Sequence, residues 1–504
     1  MRQPSITIIG AGFGGITMAL ELRRAGFTDI TILEQGDDVG GVWRDNTYPG
    51  AACDVPSPLY SISTNPNPDW SRRFSEQPDI LAYLRDVAGR HDLLRLVRFG
   101  VTVTTAEFDE RTNRWTVRTA HDEVIESDVL VTAVGQLSRP SLPSIPGRET
   151  FAGSAFHSAE WNHDVDLSGE RVAVIGTGAS AIQFVPEIAP EAGRLTLFQR
   201  SAPWILPKPD RVYSDWHHRV FRSVPATLRG ERFLVWAIFE ILTVALVDTR
   251  WRGALAGVLA RKHLERQVSD PTLRAALTPD YEPGCKRMLL SDEYYPTLTR
   301  SNVDLVIDSI ERIESDGVRT VDGTLHPADV IIYGTGFAAT DFLAPMTVRG
   351  RGGTRLDDAW SDGAHAYLGI TTAGFPNLFM LYGPNTNLGS GSIIHVLESQ
   401  ARHIAGLVRW LAERPGCAIE VDADIEQRFN DRIQRKLANS VWSLCGNWYR
   451  NASGKITNNW PGTVTAYRRR TRRPRRRDYR ITARPTGPAD TPLAPGAADS
   501  HRSR

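Results

Sequence analysis

The chain has 504 residues, 41% of them hydrophobic and 23% charged. It is too long for one core and suits two or three domains. Its composition excludes a largely disordered chain, a collagen-like chain and a disulfide-stapled miniprotein. The net charge of +1 hides an asymmetry, because residues 467–504 hold 12 Arg and 3 Asp while the rest carries 47 basic and 55 acidic groups. The body is mildly acidic, and the basic character reads as a tail. The four cysteines (Cys53, Cys285, Cys417 and Cys445) include no C-x-x-C pair. That spacing argues against a thioredoxin-like redox site and a cysteine zinc cluster.

In chain order, Ile6–Ile9 predicts a strand that leaves no room for a secretion signal, so a cytoplasmic protein is expected. Thr17–Arg24 has helical spacing, Gly26 can stop it, and Ile30–Leu33 is a second short strand. Residues 99–135 alternate as strands around Thr102, Trp115, Val117 and Val129–Thr132. Residues 170–200 repeat the opening plan of strand, glycine turn, helix and strand. Residues 208–285, rich in Trp, Arg and Leu, read as a helical insertion. Within it, Phe233–Val247 is an apolar run interrupted by Glu240. It falls short of the roughly 20 residues of a spanning helix. A buried helix is expected there, with weak membrane-surface contact as the sharper alternative. Val330–Tyr333 runs into Gly334-Thr335-Gly336 and is expected to return the chain to the first domain. The arginine run Arg468–Arg477 reads as a solvated end segment, with only Tyr467 and Tyr479 near it and no nucleic-acid partner expected. Residues 483–504 are Pro-, Ala-, Gly-, Asp- and Ser-rich and predict disorder.

Two glycine turns carry the first functional signal. Gly10-Ala11-Gly12-Phe13-Gly14-Gly15 is a full G-x-G-x-x-G between strand and helix. Its first glycine permits a tight turn, its second lets backbone approach a pyrophosphate, and its third lets helix pack on strand. Glu34 ends the next strand, where a carboxylate can accept hydrogen bonds from the ribose of FAD or NAD. The second copy is Gly176-Thr177-Gly178-Ala179-Ser180-Ala181. Its following strand ends in Gln199-Arg200-Ser201, with no acid. A guanidinium and a hydroxyl there suit a 2′-phosphate, hence NADP. The fold class is therefore α/β, with two Rossmann-like dinucleotide-binding domains and a helical insertion in the second. One site for a flavin and one for a hydride donor imply a flavoenzyme reduced by NADPH.

Two longer strings narrow the chemistry. One is GGVWRDNTYPGAACD, from Gly40 and Gly41 through Trp43 to Asp54. The other is Phe151-Ala152-Gly153-Ser154-Ala155-Phe156-His157-Ser158-Ala159-Glu160-Trp161. Flanked by two glycine fingerprints, the second resembles the F-x-G-x-x-x-H-x-x-x-W signature of the type I Baeyer–Villiger monooxygenases, within the class B flavoprotein monooxygenases. The first resembles their G-G-x-W, Y-P-G and D string. The resemblance covers residues 5 to about 470 and is strongest to phenylacetone- and 4-hydroxyacetophenone-type members. One departure is Asn162, where the family usually has Pro or Asp.

The resemblance implies an NADPH- and O2-dependent FAD enzyme. It would insert one oxygen atom beside a ketone carbonyl through a C4a-peroxyflavin, giving an ester or lactone. It implies that Arg287 is the key catalytic residue, that Asp54 holds it, and that Lys286 shares the NADP 2′-phosphate with Arg200 and Ser201. It places Trp43 and Tyr60 at the flavin, Val103 by backbone at the adenine, and Gln136 facing NADP. Trp448 would lie in a late loop over NADP, Ile393 near flavin and substrate, and His157 in a conformational linker rather than as a base. The expected division is residues 1–140 and 325–470 for FAD and 155–325 for NADP. Two alternatives stay open: the same cofactors oxygenating nitrogen or sulfur, and a flavin-dependent reductase or oxidase without oxygen transfer.

Overall fold

The computed structural model describes residues 3–247 and 253–484. The elements that frame its central cleft are, in chain order, β1 (Ile6–Ile9), α1 (Phe13–Arg24), β2 (Ile30–Leu33), β3 (Val97–Arg98), β4 (Val129–Thr132), β5 (Ser154–His157), β6 (Arg171–Ile175), α2 (Ala181–Ile188) and β7 (Arg194–Phe198). They continue with α3 (Pro225–Val247), β8 (Val303–Val306), β9 (Val330–Tyr333), β10 (Leu378–Met380), α4 (Ile393–Ala412) and α5 (Val464–Thr471).

Two parallel sheets carry the molecule. The first runs β10-β4-β1-β2-β3, and the second runs β8-β7-β6-β9-β5. Their central strands are almost continuous apolar runs because both faces are covered. α1 and α4 pack together over the first sheet. α1 ends where Gly26, at φ +93°, takes a left-handed turn and the Phe27 N–H bonds back to Leu22 O at 3.0 Å. The alternating stretch after residue 100 forms an antiparallel ladder of Val103–Asp109, Arg114–Thr119 and Val124–Ser127, joined by Thr347–Arg349.

One expected connection is corrected. Val330–Tyr333 does not return the chain to the first sheet. It pairs in parallel with both β6 and β5, with Ile332 opposite Val174 and Phe156. A fully buried strand needs ladder partners on both sides, and β5 supplies the second. The chain rejoins the first sheet only at β10, whose Leu378 pairs with Leu130.

The insertion carries helices Asp215–Ser223, α3, Gly253–Gln267 and Pro271–Ala276. α3 is not buried all round. Phe233, Leu234 and Ile241 are about 60% exposed, while Leu228 and Val235 are buried. Glu240 interrupts the apolar run for a reason that becomes visible here. Its carboxylate accepts the Val464 N–H at 2.8 Å and so caps the N-terminus of α5. Arg232, on the inner face, donates to the carbonyls of Pro58 at 2.7 Å and Ser61 at 3.0 Å and to His395 Nε2 at 2.9 Å. It anchors the insertion to the loop that carries Tyr60. No helix among the described residues is long and apolar enough to cross a membrane.

The arginine run is also corrected. It is not a free end segment, since α5 packs on α4 and Tyr479–Thr482 pairs with Ala418–Val421. Tyr467 is fully buried and its hydroxyl donates to Leu368 O at 2.6 Å. Two buried tyrosines that flank the exposed arginines, Tyr467 and Tyr479, dock the run, which composition alone does not reveal. The expectation of disorder concerns residues that from 485 onward lie outside the described ones. Truncating a buried aromatic costs about 3–5 kcal/mol and an exposed surface change within about 0.5 kcal/mol. Tyr467→Ala is therefore expected to lower urea resistance strongly and Arg473→Ala hardly at all, as read by tryptophan fluorescence.

Candidate active site

Both glycine turns open from the carboxyl ends of their sheets, where ligands bind in open α/β folds. Here they open into one cavity of about 1350 Å³. The first turn is sterically committed to glycine. A Cβ at Gly15 would lie 1.9 Å from Gly10 O, and one at Gly10 (φ +102°) would lie 2.6 Å from Ala133 O. Gly12 backs on Gly41, so two bare backbones face each other at the cleft wall. Glu34 is buried and accepts the Ala11 N–H at 2.7 Å, the Gly36 N–H at 2.9 Å and Arg44 Nη1 at 2.8 Å. Its first task is thus to hold the turn, and it also lines the cavity.

Phe13, Trp43 and Tyr60 make an aromatic corner. Trp43 Nε1 donates to Tyr60 OH at 3.1 Å, and the Phe13 and Tyr60 rings meet edge-on at 5.2 Å. Burial pushes the Tyr60 hydroxyl well above the ordinary tyrosine range, so it stays a neutral donor. Val103 and Ile393 line the same cavity, Ile393 as the first residue of α4.

The second turn faces this corner across the cleft. Gly176, Thr177, Gly178, Ala179 and Ser180 all line it, and Thr177 Oγ1 donates to Ser201 O at 3.2 Å. Lys286 Nζ donates to Ser201 Oγ at 2.8 Å and lies 4.3 Å from the Tyr281 ring centroid. Among the described residues, neither Lys286 nor the exposed Arg200 has a carboxylate within 4 Å. Burial, then repulsion from Arg200, lowers the Lys286 pKa. Two cations and a hydroxyl, with no carboxylate paired to them among the described residues, are a donor set suited to a phosphate dianion.

Arg287 and Asp54 meet at the junction. Arg287 Nε donates to Asp54 Oδ2 at 2.8 Å, and Nη2 lies 2.6 Å from the same oxygen. The Asp54 carboxylate holds the guanidinium charged against the opposing effect of burial. Tyr382 and Tyr449 flank it, and burial pushes Tyr449 to about 12. Tyr382 sits at φ +57° and donates from its hydroxyl to Asn387 Oδ1 at 2.7 Å. A non-glycine residue held there marks an over-determined backbone.

Tyr382, Asn387 and Tyr281 escape sequence reasoning, since no motif spacing marks them. Only the unusual backbone of Tyr382 singles it out, and that is invisible in one sequence. Gln136 reaches the cavity wall, but its amide is committed. Nε2 donates to Tyr382 O at 2.7 Å, and Oε1 accepts from Asn458 Nδ2 at 3.1 Å. These bonds brace it in the cavity wall. His157 is buried behind the wall, its Nδ1 accepting the Ala159 N–H at 3.1 Å. Burial lowers its pKa. Trp448 lines the cavity, 37% exposed, with its ring 4.3 Å from that of Tyr449.

With this geometry in view, the profile of the flavin-binding monooxygenase-like family matches residues 3–344. A Baeyer–Villiger monooxygenase of Streptomyces coelicolor is 44% identical over 94% of this chain and 92% of its own length. A Baeyer–Villiger monooxygenase of Pseudomonas aeruginosa is 42% identical over 96% and 92%. Among solved structures, a cyclohexanone monooxygenase from Rhodococcus bound to NADP+ superposes with a TM-score of 0.86 at 27% identity, covering 95% of this chain and 99% of that one. An oxidized steroid monooxygenase bound to NADP gives 0.84 at 30% identity, covering 95% and 99%.

The Lys286 site gives a pH test with a definite sign. Its pKa in the empty pocket is lowered, and a bound phosphate raises it again. NADPH affinity is therefore complete below the empty-pocket pKa and falls as pH rises through it. Titration calorimetry should show this loss on the alkaline side, and Lys286→Met should remove it while weakening binding about 10–100-fold at neutral pH.

Proposed function

The chain belongs to the flavin-binding monooxygenase-like family, and from that premise we propose that it is an NADPH- and FAD-dependent Baeyer–Villiger monooxygenase acting on a small-molecule ketone. The observation that carries the proposal is the Arg287–Asp54 pair, set in one cleft between two dinucleotide-type glycine turns. Bound FAD, reduced by NADPH, would supply activated oxygen from O2. The protein's residues supply the rest.

The first turn, with Gly10, Gly12, Phe13, Gly15, Glu34 and Gly41, takes the FAD pyrophosphate and adenosine, and Trp43 and Tyr60 lie at the ring system. Gly176 to Ser180 take the pyrophosphate of NADP, and Arg200, Ser201 and Lys286 its 2′-phosphate. Arg287 sits where negative charge collects, both on the oxygen donor and on the carbonyl oxygen under attack. A fixed guanidinium needs no reorganisation as that charge develops. Asp54 sets its orientation through Nε and Nη2, and Arg287 lines the cleft. Trp448 and Tyr449 close the site from the late segment. The FAD part comprises residues 1–140 and the chain after β9, so the second crossing is moved from residue 325 to beyond Tyr333.

The finer placements rest on this reading. We place the enzyme in the cytoplasm, where NADPH is regenerated. The exposed apolar face of α3 is the surface for a weak membrane contact that would deliver hydrophobic ketones.

The test is ketone-dependent NADPH oxidation under 18O2. Wild type is expected to place one labelled atom in an ester or lactone with little free peroxide. Arg287→Ala should still accept a hydride from NADPH but lose ester formation by about 100-fold or more. It should keep sulfoxidation, which needs no stabilised oxyanion. NADPH consumption indifferent to ketones, with stoichiometric peroxide, would replace this reading with an oxidase.

A further inference from the structure

We propose that Cys285 and Cys445 form a redox clamp that holds the Lys286–Arg287 segment in the cleft wall and sets how long the nicotinamide nucleotide stays bound. The proposal rests on the reading above only in taking Lys286 and Arg287 as residues of the nucleotide site.

The two sulfurs are joined, with Cα atoms 6.1 Å apart and the residues 160 positions apart in the chain. Each end of the bond lies beside the cavity. Cys285 immediately precedes Lys286 and Arg287, and Cys445 immediately precedes Gly446, Asn447 and Trp448. All five of those neighbours line the same cavity. The clamp therefore ties the exit of the helical insertion to the late segment that closes the site. Asn447 reinforces the tie without covalency. Its Nδ2 donates to Cys285 O at 3.1 Å and to Trp442 O at 2.9 Å. Lys286, Arg287 and Trp448 thus share one small rigid unit when the bond is closed. A wall ordered in advance spares the ligand that ordering cost, so closure favours a retained nucleotide.

The two sulfurs differ in access. Cys285 is fully buried, whereas Cys445 is half-buried and offers the sulfur at which a thiolate can open the bond. Of the other cysteines, Cys53 is buried with its thiol pushed far up by burial, and Cys417 is a free thiol just before the strand Ala418–Val421. In a reducing compartment a disulfide of this kind is characteristically a sensing bond rather than a permanent staple. The oxidant is hydrogen peroxide, which a monooxygenase releases when a turnover fails. Two thiols give up two electrons and two protons, the S–S bond forms, and the peroxide O–O bond breaks to leave two waters. A dithiol reductant reverses the step. Leakage of peroxide thus closes the clamp, and the closed clamp holds the nucleotide whose early loss causes leakage.

The experiment uses the full-length holoenzyme, peroxide-treated or reduced with dithiothreitol, beside Cys445→Ser and the control Cys417→Ser. Alkylation after denaturation should count two thiols in the closed form and four after reduction. Reduction and Cys445→Ser should each raise the NADP+ dissociation constant about tenfold. Both should raise peroxide released per NADPH, with the flavin spectrum retained. Peroxide should restore tight binding in reduced wild type and in Cys417→Ser but not in Cys445→Ser. Reduction of the wild type keeps the test valid if Cys445→Ser does not fold. Four thiols after peroxide treatment, or the same NADP+ affinity in closed and reduced wild type, would overturn the clamp. If neither form makes ester yet NADP+ affinity still follows the thiol count, the Baeyer–Villiger reading fails and the clamp stands.

Discussion

A single carboxylate oxygen organises the centre of this molecule. Asp54 comes from a loop of the first half and Arg287 from the exit of the helical insertion, 233 positions later. Two guanidinium nitrogens converge on the same Oδ2. A charge partly withdrawn from water is stable only beside its counter-charge, so neither group can be placed without the other. The pair therefore fixes the second half of the cleft relative to the first. The aromatic corner, the second glycine turn and the late segment all take their positions around that junction.

Around it the cleft divides into two electrostatic environments. In the first glycine turn Glu34 accepts two backbone N–H groups and Arg44, so its charge is balanced within the wall. The second is left cationic, because Lys286, bonded to the Ser201 hydroxyl, feels the repulsion of Arg200. An anion entering the second site relieves a standing repulsion. One entering the first meets the backbone of the glycine turn, with the Arg44 charge already paired to Glu34. The same fold thus presents two dinucleotide sites in different electrostatic settings, one balanced and one cationic.

The insertion serves this arrangement from outside. Arg232 ties α3 to the loop of Tyr60 and to His395, and Glu240 caps α5. A charged residue inside an apolar run, or at its edge, looks like a defect in the sequence. In the fold each is a bolt, because a carbonyl cluster or a helix N-terminus needs a partner of the right sign. The solvent face of α3 keeps its large apolar side chains exposed, so the run is amphipathic in function although not in composition.

Much of this was legible in the amino-acid sequence. Glycine turns between an apolar strand and a helix specify their own backbone, since a Cβ at Gly15 or Gly10 has nowhere to go. The two fingerprints, the charge contrast between Glu34 and Arg200-Ser201, and the two motif strings determined the α/β class, two nucleotide sites and the family. Tertiary structure alone decided the rest. A buried strand reads the same in either sheet, so only pairing partners could assign Val330–Tyr333 to the second. Gln136 lines the cavity as its place in the chain suggests, but only the fold shows that Tyr382 and Asn458 hold its amide there. The arginine run looked like a solvated tail because composition is blind to which tyrosines dock. Cys285 and Cys445 carry no local spacing signal, and contact across 160 positions is a property of the fold and not of any window of sequence.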